Sequence, residues 1–426
     1  MGAKTDIKFF VHTNNNAPQL QNAFGSMINV LDAALINGMQ VGTVSSLTAS
    51  GKIVTAVFGT AHNLMQYQVV KIAGANQAEY NGEYRILSAP NATTITFELA
   101  EVPSTTIATG TINCSLPPLG WEKPFSSSNP NGGGKAAYRS KNLMLSSRPF
   151  LRVVDEPDPA YNTAYAKFAK VGIVEDMSDI DTMLGHQAPF DQLNPDKNWV
   201  ATGSGNTVIN GWARWYYAHN THFGSSTAND TSTVAAGARN WIIIGTTDYF
   251  YILPSGSVTN VNALPYGFGA FESFLNADLS NTFLSSTFNN NTASNTSNKQ
   301  GQTGLVGTAN TQKVVILRGY QQETLHAEAN VASIAVSPTV YTGSSNYVGA
   351  ANLTGVTPFG SVYLNEAAFR GKLHGIFWVF QNKPFENLQI IERDGEYYIA
   401  VNIGASGIGS AGEGQIVFKI GGSDGN

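Results

Sequence analysis

Between Thr43 and Thr111 the chain is written in short runs rich in Val, Ile, Thr and aromatics, broken by Gly, Asn, Pro and Ser. Punctuation of that kind leaves room for little except consecutive short strands. Ile53 and Val57, and later Ile95, Phe97 and Leu99, keep the two-residue phase that a half-buried sheet requires. Asn81-Gly82, between Tyr80 and Tyr84, has the chemistry of a tight turn, because both residues tolerate positive φ. The stretch predicts a small all-β module.

The flanking sequence carries the same signature at larger scale. Ile7–His12 reads as a strand, and from Pro18 to Asn37 the period changes. Leu20, Phe24, Met27, Ile28, Leu31 and Leu35 then fall three and four residues apart, one stripe of an amphipathic helix stopped by Asn37-Gly38. Further strands are predicted at Arg148–Asp155, Lys167–Met177 and Lys313–Arg318, and around the turn inside Trp241–Ile252. Others follow at Ser333–Val336, Gly371–Phe380, Tyr397–Val401 and Gln415–Ile420. No internal repeat is visible. The fold class predicted is mainly β: a large β-sandwich-like or mixed β body, one N-terminal amphipathic helix and an inserted small all-β domain. Residues 1–42 and 116–426 are assigned to the body and 43–115 to the insert, with an Asn/Ser/Thr-rich loop near 285–312.

Composition narrows the function. Charged residues make up 12% of the 426 and apolar residues 42%, so hydroxyls and amides supply most of the polarity. Such surfaces suit permanent assembly, where each buried charge must find a partner. A formal charge of −5 with no basic block argues against nucleic-acid binding. One cysteine, Cys114, excludes an internal disulfide and a multi-cysteine metal site. No apolar run reaches the length of a membrane span, and Met1–Asp6 has neither a signal-peptide core nor a myristoylation pattern. Synthesis in a cytoplasm without leader-driven export is the expectation.

Five phrases of the first stretch are ordered as in a β-module of tailed-bacteriophage virion proteins, which it resembles: Ala61-His62-Asn63, Ile72-Ala73-Gly74-Ala75-Asn76-Gln77, Tyr80-Asn81-Gly82, Thr96-Phe97 and Ala108-Thr109-Gly110-Thr111. Asn63 stands where that module has Gly. A second series is similar to phage tail and other virion structural proteins: Trp121, Phe125, Tyr138, Arg139, Arg152, Asp155, Glu175, Met177, Asp179 and Asp181. The resemblance implies a structural component of a phage particle, of tail or baseplate type, partnered by other virion proteins and by copies of itself about a threefold or sixfold axis. A receptor-binding fibre or spike recognising host polysaccharide, and a head or neck decoration protein, are the alternatives.

Candidate chemistry is sparse. Glu175, Asp176, Asp179 and Asp181 form an acidic cluster in which Asp179-x-Asp181 could open a calcium site, but the EF-hand glycine and distal glutamate are missing. Paired carboxylates there could also serve glycoside hydrolysis; a solvated loop or subunit contact fits the pattern better. His219 and His222 lie three apart without an adjacent Glu or Cys partner. Gly132-Gly133-Gly134-Lys135 is followed by Ala136, which breaks the phosphate-loop pattern. Cys114 reads as a small buried hydrophobe. Trp212, Trp215, Tyr216 and Tyr217 are the candidates for an assembly or sugar-stacking surface; packing in a core or interface is the better account, because aromatics dominate both. Neither a cofactor nor a catalytic residue is assigned, and the expectation is a non-enzymatic protein.

Overall fold

The computed structural model describes residues 4–220, 230–259, 262–288, 302–303, 305, 313–322, 326–333, 359–366, 368–379, 383–404 and 413–422. The chain opens with β1 (Lys8–Val11) and a six-residue helix, α1 (Ser26–Leu31), which widens into a π-helical turn over Asp32–Asn37. The helix is much shorter than the stripe from Leu20 predicts. Gly25 sits at φ +86°, and a Cβ there would lie 2.8 Å from Gly133 Cα, so the close approach of the two backbones stops helix before Ser26. Met27, Val30, Leu31, Ala33, Ala34 and Leu35 form its buried face.

β2 (Met39–Ser50), β3 (Ile53–Phe58), β4 (Val69–Ala75), β5 (Gly82–Asn91), β6 (Thr94–Glu98) and β7 (Gly110–Leu116) close into a six-stranded barrel, in the order β2-β3-β6-β5-β4-β7. Its first and last strands pair, Met39 opposite Leu116. Ile95, Phe97 and Leu99 point inward as the period predicts. In β3 the phase is opposite to the expectation: Val54, Ala56 and Phe58 are buried while Ile53 is 40% exposed, because that set is apolar throughout whereas the polar Thr55 interrupts Ile53 and Val57. Asn81-Gly82 makes no positive-φ turn. Asn81 instead uses its amide as a strand partner, Oδ1 accepting from Ala75 N (3.0 Å) and Nδ2 donating to Ala75 O (2.8 Å). Asn63 does adopt φ +50°.

The chain leaves the barrel where it entered. Backbone N–H groups of Leu119, Gly120 and Trp121 donate to Ala34 and Leu35 carbonyls in the π-turn, whose wider ladder leaves them free to accept. Then β8 (Glu122–Ser128), β9 (Gly134–Arg139), β10 (Phe150–Asp155), β11 (Lys167–Met177), β12 (Met183–Ala188) and β13 (Ala213–Ala218) build most of an eight-stranded antiparallel sheet.

The large sheet follows: β14 (Trp241–Gly245), β15 (Tyr249–Pro254), β16 (Tyr266–Ala270), β17 (Glu272–Ser273) and β18 (Thr282–Ser285). The chain returns to the smaller sheet for β19 (Thr287–Phe288) and β20 (Gln302–Thr303). It completes the larger with β21 (Lys313–Ile316), β22 (Ala327–Ser333), β23 (Phe359–Asn365), β24 (Phe369–Val379), β25 (Ile390–Arg393), β26 (Glu396–Gly404) and β27 (Glu413–Gly422). The thirteen strands run β1-β14-β15-β16-β18-β21-β22-β23-β24-β27-β26-β25, with β17 beside β24. Of the predicted strand Ser333–Val336, all but Ser333 lies outside the described residues, as does most of the predicted loop near 285–312.

The uninterrupted apolar runs of β14 and β15 are explained by burial on both faces. Ile243, Phe250 and Ile252 face Trp215, Leu151 and Val153 of the smaller sheet. Ile242, Ile244, Tyr251 and Leu253 face a second core with Phe418, Ile416, Ile399 and Leu364, where the large sheet doubles back on itself.

The outer edge of β1 is covered by the barrel. Arg85, 3% exposed, donates to the carbonyls of Lys4 (2.9 Å), Ile7 (3.1 Å), Tyr67 (2.8 Å) and Ile420 (2.6 Å). Gln68 Nε2 donates to Phe9 O at 3.0 Å. Tyr67 stacks on Tyr397, centroids 3.7 Å apart, and its hydroxyl donates to Glu392 at 2.5 Å. Burial brings the Arg85 guanidinium down to about 10, so it stays charged at neutral pH. Replacing Arg85 with Met strands four carbonyls. We expect Arg85→Met to lower the unfolding free energy by about 3 kcal/mol, and amide exchange across Lys8–Val11 to accelerate; a denaturant titration with exchange mass spectrometry checks both.

Candidate interaction surface

The aromatic residues singled out in the sequence lie in the interior. In β13, alternation sends Arg214 and Tyr216 to one face and Trp215 and Tyr217 to the other, and both faces are covered. Trp215 Nε1 donates to Ser285 O (2.9 Å) and its ring stacks on Tyr266. Tyr216 donates to Asp230 (3.0 Å), which also takes Arg214 Nη1 at 2.6 Å. Trp212, 8% exposed, is covered by Lys197, whose Nζ is 4.5 Å from the ring centroid, and by His326. Of the accounts the sequence left open, the positions of these residues match core packing: the larger sheet covers Trp215, and Phe168 with Asp230 covers the Arg214 and Tyr216 face.

The acidic cluster is also committed. Asp181 takes Lys135 Nζ on both oxygens (2.7 and 2.9 Å) and Arg152 Nη2 at 2.8 Å. Burial pushes its carboxyl up, but these cations outweigh burial and hold it below the usual range. Asp179 accepts the backbone N–H of Asp181 and Thr182, closing its own turn. Glu175 pairs with Arg318 and accepts from His186 N. With these oxygens spent on cations and backbone, Asp179 and Asp181 do not converge on a calcium site. Among the described residues no three His, Cys, Asp or Glu side chains are grouped to hold a metal.

The remaining candidates are structural. His219 lies 3.4 Å from Asp230, and His222 is outside the described residues. Gly133 belongs to the contact with Gly25 and not to a phosphate cradle; a Cβ there would sit 2.0 Å from Asp155 O. Cys114 is buried in the barrel, its thiol pushed up to about 12 by burial.

What the surface offers instead is an apolar belt that the sequence pattern did not announce. Leu143, Met144, Phe274, Leu279, Tyr320 and Phe369 are each between 41% and 90% exposed, and they come from three separate loops and the start of β24. Hydrogen bonds tie those loops together. Ser146 and Ser147 bond Asn281 and Ser280, both at 3.1 Å; Gln322 accepts from Leu279 N at 2.9 Å; Glu366 accepts from Tyr320 N at 3.1 Å; Phe274 N donates to Arg370 O at 3.0 Å. Beneath them Arg370, fully buried, pairs with Asp278 and with Glu366 (3.2 Å). Arg370 is thus held by two acidic side chains below the belt, and the side chains above are apolar. Isolated apolar residues on a surface are ordinary, whereas several on bridged loops mark a contact face.

No family model matches the chain, and no curated protein matches it. Among solved structures it aligns with the phage phi92 endosialidase over 91% of this chain and 52% of that one, at 11% identity and a TM-score of 0.16. The chain spans about half the length of that protein, and an overlap this loose does not define a shared fold.

One buried acid gives the molecule a pH dependence. Asp155, at the start of α1, accepts Tyr217 Oη (2.6 Å), Met27 N (3.0 Å) and backbone N–H groups at Gly25 and Ile28. Burial nevertheless raises its carboxyl from 3.8 to about 6, the hydrogen bonds opposing. The folded chain therefore keeps a proton that the unfolded chain has lost between those values. Its contribution to stability is present below the lower value and disappears as pH rises through about 6. Asp155→Asn is expected to flatten that part of the stability–pH curve, measured by urea unfolding at half-unit pH steps, by an amount on the order of a few kcal/mol.

Proposed function

We propose that this chain is a non-enzymatic structural component of a tailed-phage particle, of tail or baseplate type, that acts by binding copies of itself and neighbouring virion proteins. The observation that carries the reading is the apolar belt: exposed Leu143, Met144, Phe274, Leu279, Tyr320 and Phe369 over the buried cluster of Arg370 with Asp278 and Glu366. Burial of such side chains at about 25 cal/mol per Å² drives association, and a surface with few free charges forms contacts without stranding ions. The ordered phrases from Ala61 to Thr111 support a virion setting. The mainly β build, with several sheets and a six-stranded barrel, supplies a rigid support for the belt. A sugar-binding reading loses the four aromatic residues on which it rested, since they are interior.

Leu279→Asp with Phe369→Asp tests the reading, because both positions are more than half exposed and tolerate charge in the free chain. The expected outcome is unchanged melting of the purified protein together with loss of the polypeptide from assembled particles, read by mass spectrometry. Particles that lack the wild-type polypeptide, or that take up the double variant equally well, would count against it.

A further inference from the structure

We propose that two copies of this chain meet face to face across the loop at 141–145, the Lys141 ammonium of each copy entering an acidic pocket of the other. The inference rests on the assembly reading and names one contact within it. The loop carries three features in a short span. Lys141 is exposed and has no hydrogen bond or ion pair among the described residues. Leu143 and Met144 follow, 77% and 90% exposed. Leu145 then forms part of the pocket wall.

The pocket, about 460 Å³, lies where the start of the chain, the barrel and the β14–β15 turn meet. Asp6, Glu83 and Asp248 line it against one cation, Lys8, which leaves two negative charges in excess; burial lowers the His374 pKa and keeps that ring neutral. Lys8 is held by Glu83 (2.9 Å) and Pro118 O (3.0 Å). Asp6 has no hydrogen bond or ion pair among the described residues. Asp248 accepts Asn142 Nδ2 (2.9 Å) and Thr247 Oγ1 (3.1 Å) on Oδ1, and its Oδ2 has no partner among the described residues. Tyr249, 8% exposed, and His374, stacked on it at 5.4 Å, complete the lining, and neither side chain makes a hydrogen bond among the described residues. A site with spare carboxylate oxygens and excess negative charge selects a compact cation with several donors, which describes an ammonium group.

Within its own chain Lys141 pairs with none of these acids, although Asn142 beside it bonds Asp248. Cation and pocket belong to one loop and its immediate support. A twofold axis through that loop therefore sets each cation opposite the other copy's pocket and makes both pairs at once. The same operation lays Leu143 and Met144 against their counterparts. Burying those tips keeps water from the two ion pairs, and a pair in a low dielectric is stronger than the same pair in water. The contact is continuous with the apolar belt: Ser146 Oγ bonds Asn281 Oδ1 at 3.1 Å, and Asn281 lines the pocket.

Zero-length carbodiimide coupling tests the contact, because it joins only an amine and a carboxylate that touch. Unlabelled and nitrogen-15-labelled full chains are mixed at high concentration, coupled and digested. The expected product links Lys141 to Asp6, Glu83 or Asp248 with one light and one heavy arm. Lys141→Glu, at an exposed and unpaired position, should melt as the wild type does and weaken self-association in sedimentation by about tenfold or more; Lys141→Arg should retain it. Arms of one isotope only would mean that Lys141 closes its own pocket, and that overturns the proposal. Self-association unchanged by Lys141→Glu overturns it as well. Absence of the link both in solution and in particles that contain the chain removes this contact and leaves the assembly reading standing. A mixed-isotope link in a chain that particles lack does the reverse.

Discussion

The unpaired backbone of β1 is the constraint around which this molecule is arranged. A first strand laid at the end of a thirteen-stranded sheet leaves carbonyls facing outward, and near a core those groups must be satisfied. Gln68 answers for Phe9 O within the strand, and Arg85 for the carbonyls of Lys4 and Ile7 that lead into it, together with those of Tyr67 and Ile420. One guanidinium thereby joins the start of the chain, the barrel and the last strand, elements separated in sequence by more than 300 residues. Arg suits this position better than Lys because its planar fork reaches several acceptors while holding its charge against burial.

Much of the architecture was legible in the sequence where local pattern decides the outcome. Alternation at Ile95, Phe97 and Leu99 and the long apolar runs of β14 and β15 led directly to strands. Misreadings arose where a distant partner decides. The helix begins at Ser26 because Gly25 meets Gly133, a contact no periodicity contains. Asn81 bonds Ala75 across a hairpin in place of turning, since its amide finds both a donor and an acceptor there. The candidate surface was illegible for the same reason. Leu143, Leu279 and Tyr320 lie on separate loops and Phe369 at the start of β24, and the hydrogen bonds between those segments together with the packing around Arg370 bring them together. Trp215 and Tyr217 could be read from sequence as core or interface residues but not as one of the two, because aromatic enrichment is common to both; the larger sheet over β13 decides between them.

Low charge content has a structural counterpart in the interior. Arg214 with Asp230, Lys170 with Asp158 and Arg370 with Asp278 are all deeply buried pairs. Such pairs add little net stability over apolar substitutes, but removing one partner leaves an uncompensated ion. They therefore act mainly as register devices. Arg214 admits one placement of the loop that carries Asp230, and Arg370 one placement of the loop that carries Asp278. The second case matters for the surface, because that placement sets the height and spacing of Leu279 and Phe274 above the body.

The belt and the Lys141 ammonium with its acidic pocket differ in the kind of contact they can make. Apolar side chains on loops are non-directional: they reward burial by any surface of matching shape, and they place no condition on symmetry. An ion pair is positional, because its attraction falls with distance and rewards only the placement that brings the two charges together. A chain with only the belt could associate in many geometries; a chain with only the pair would gain about 1 kcal/mol or less from it in water.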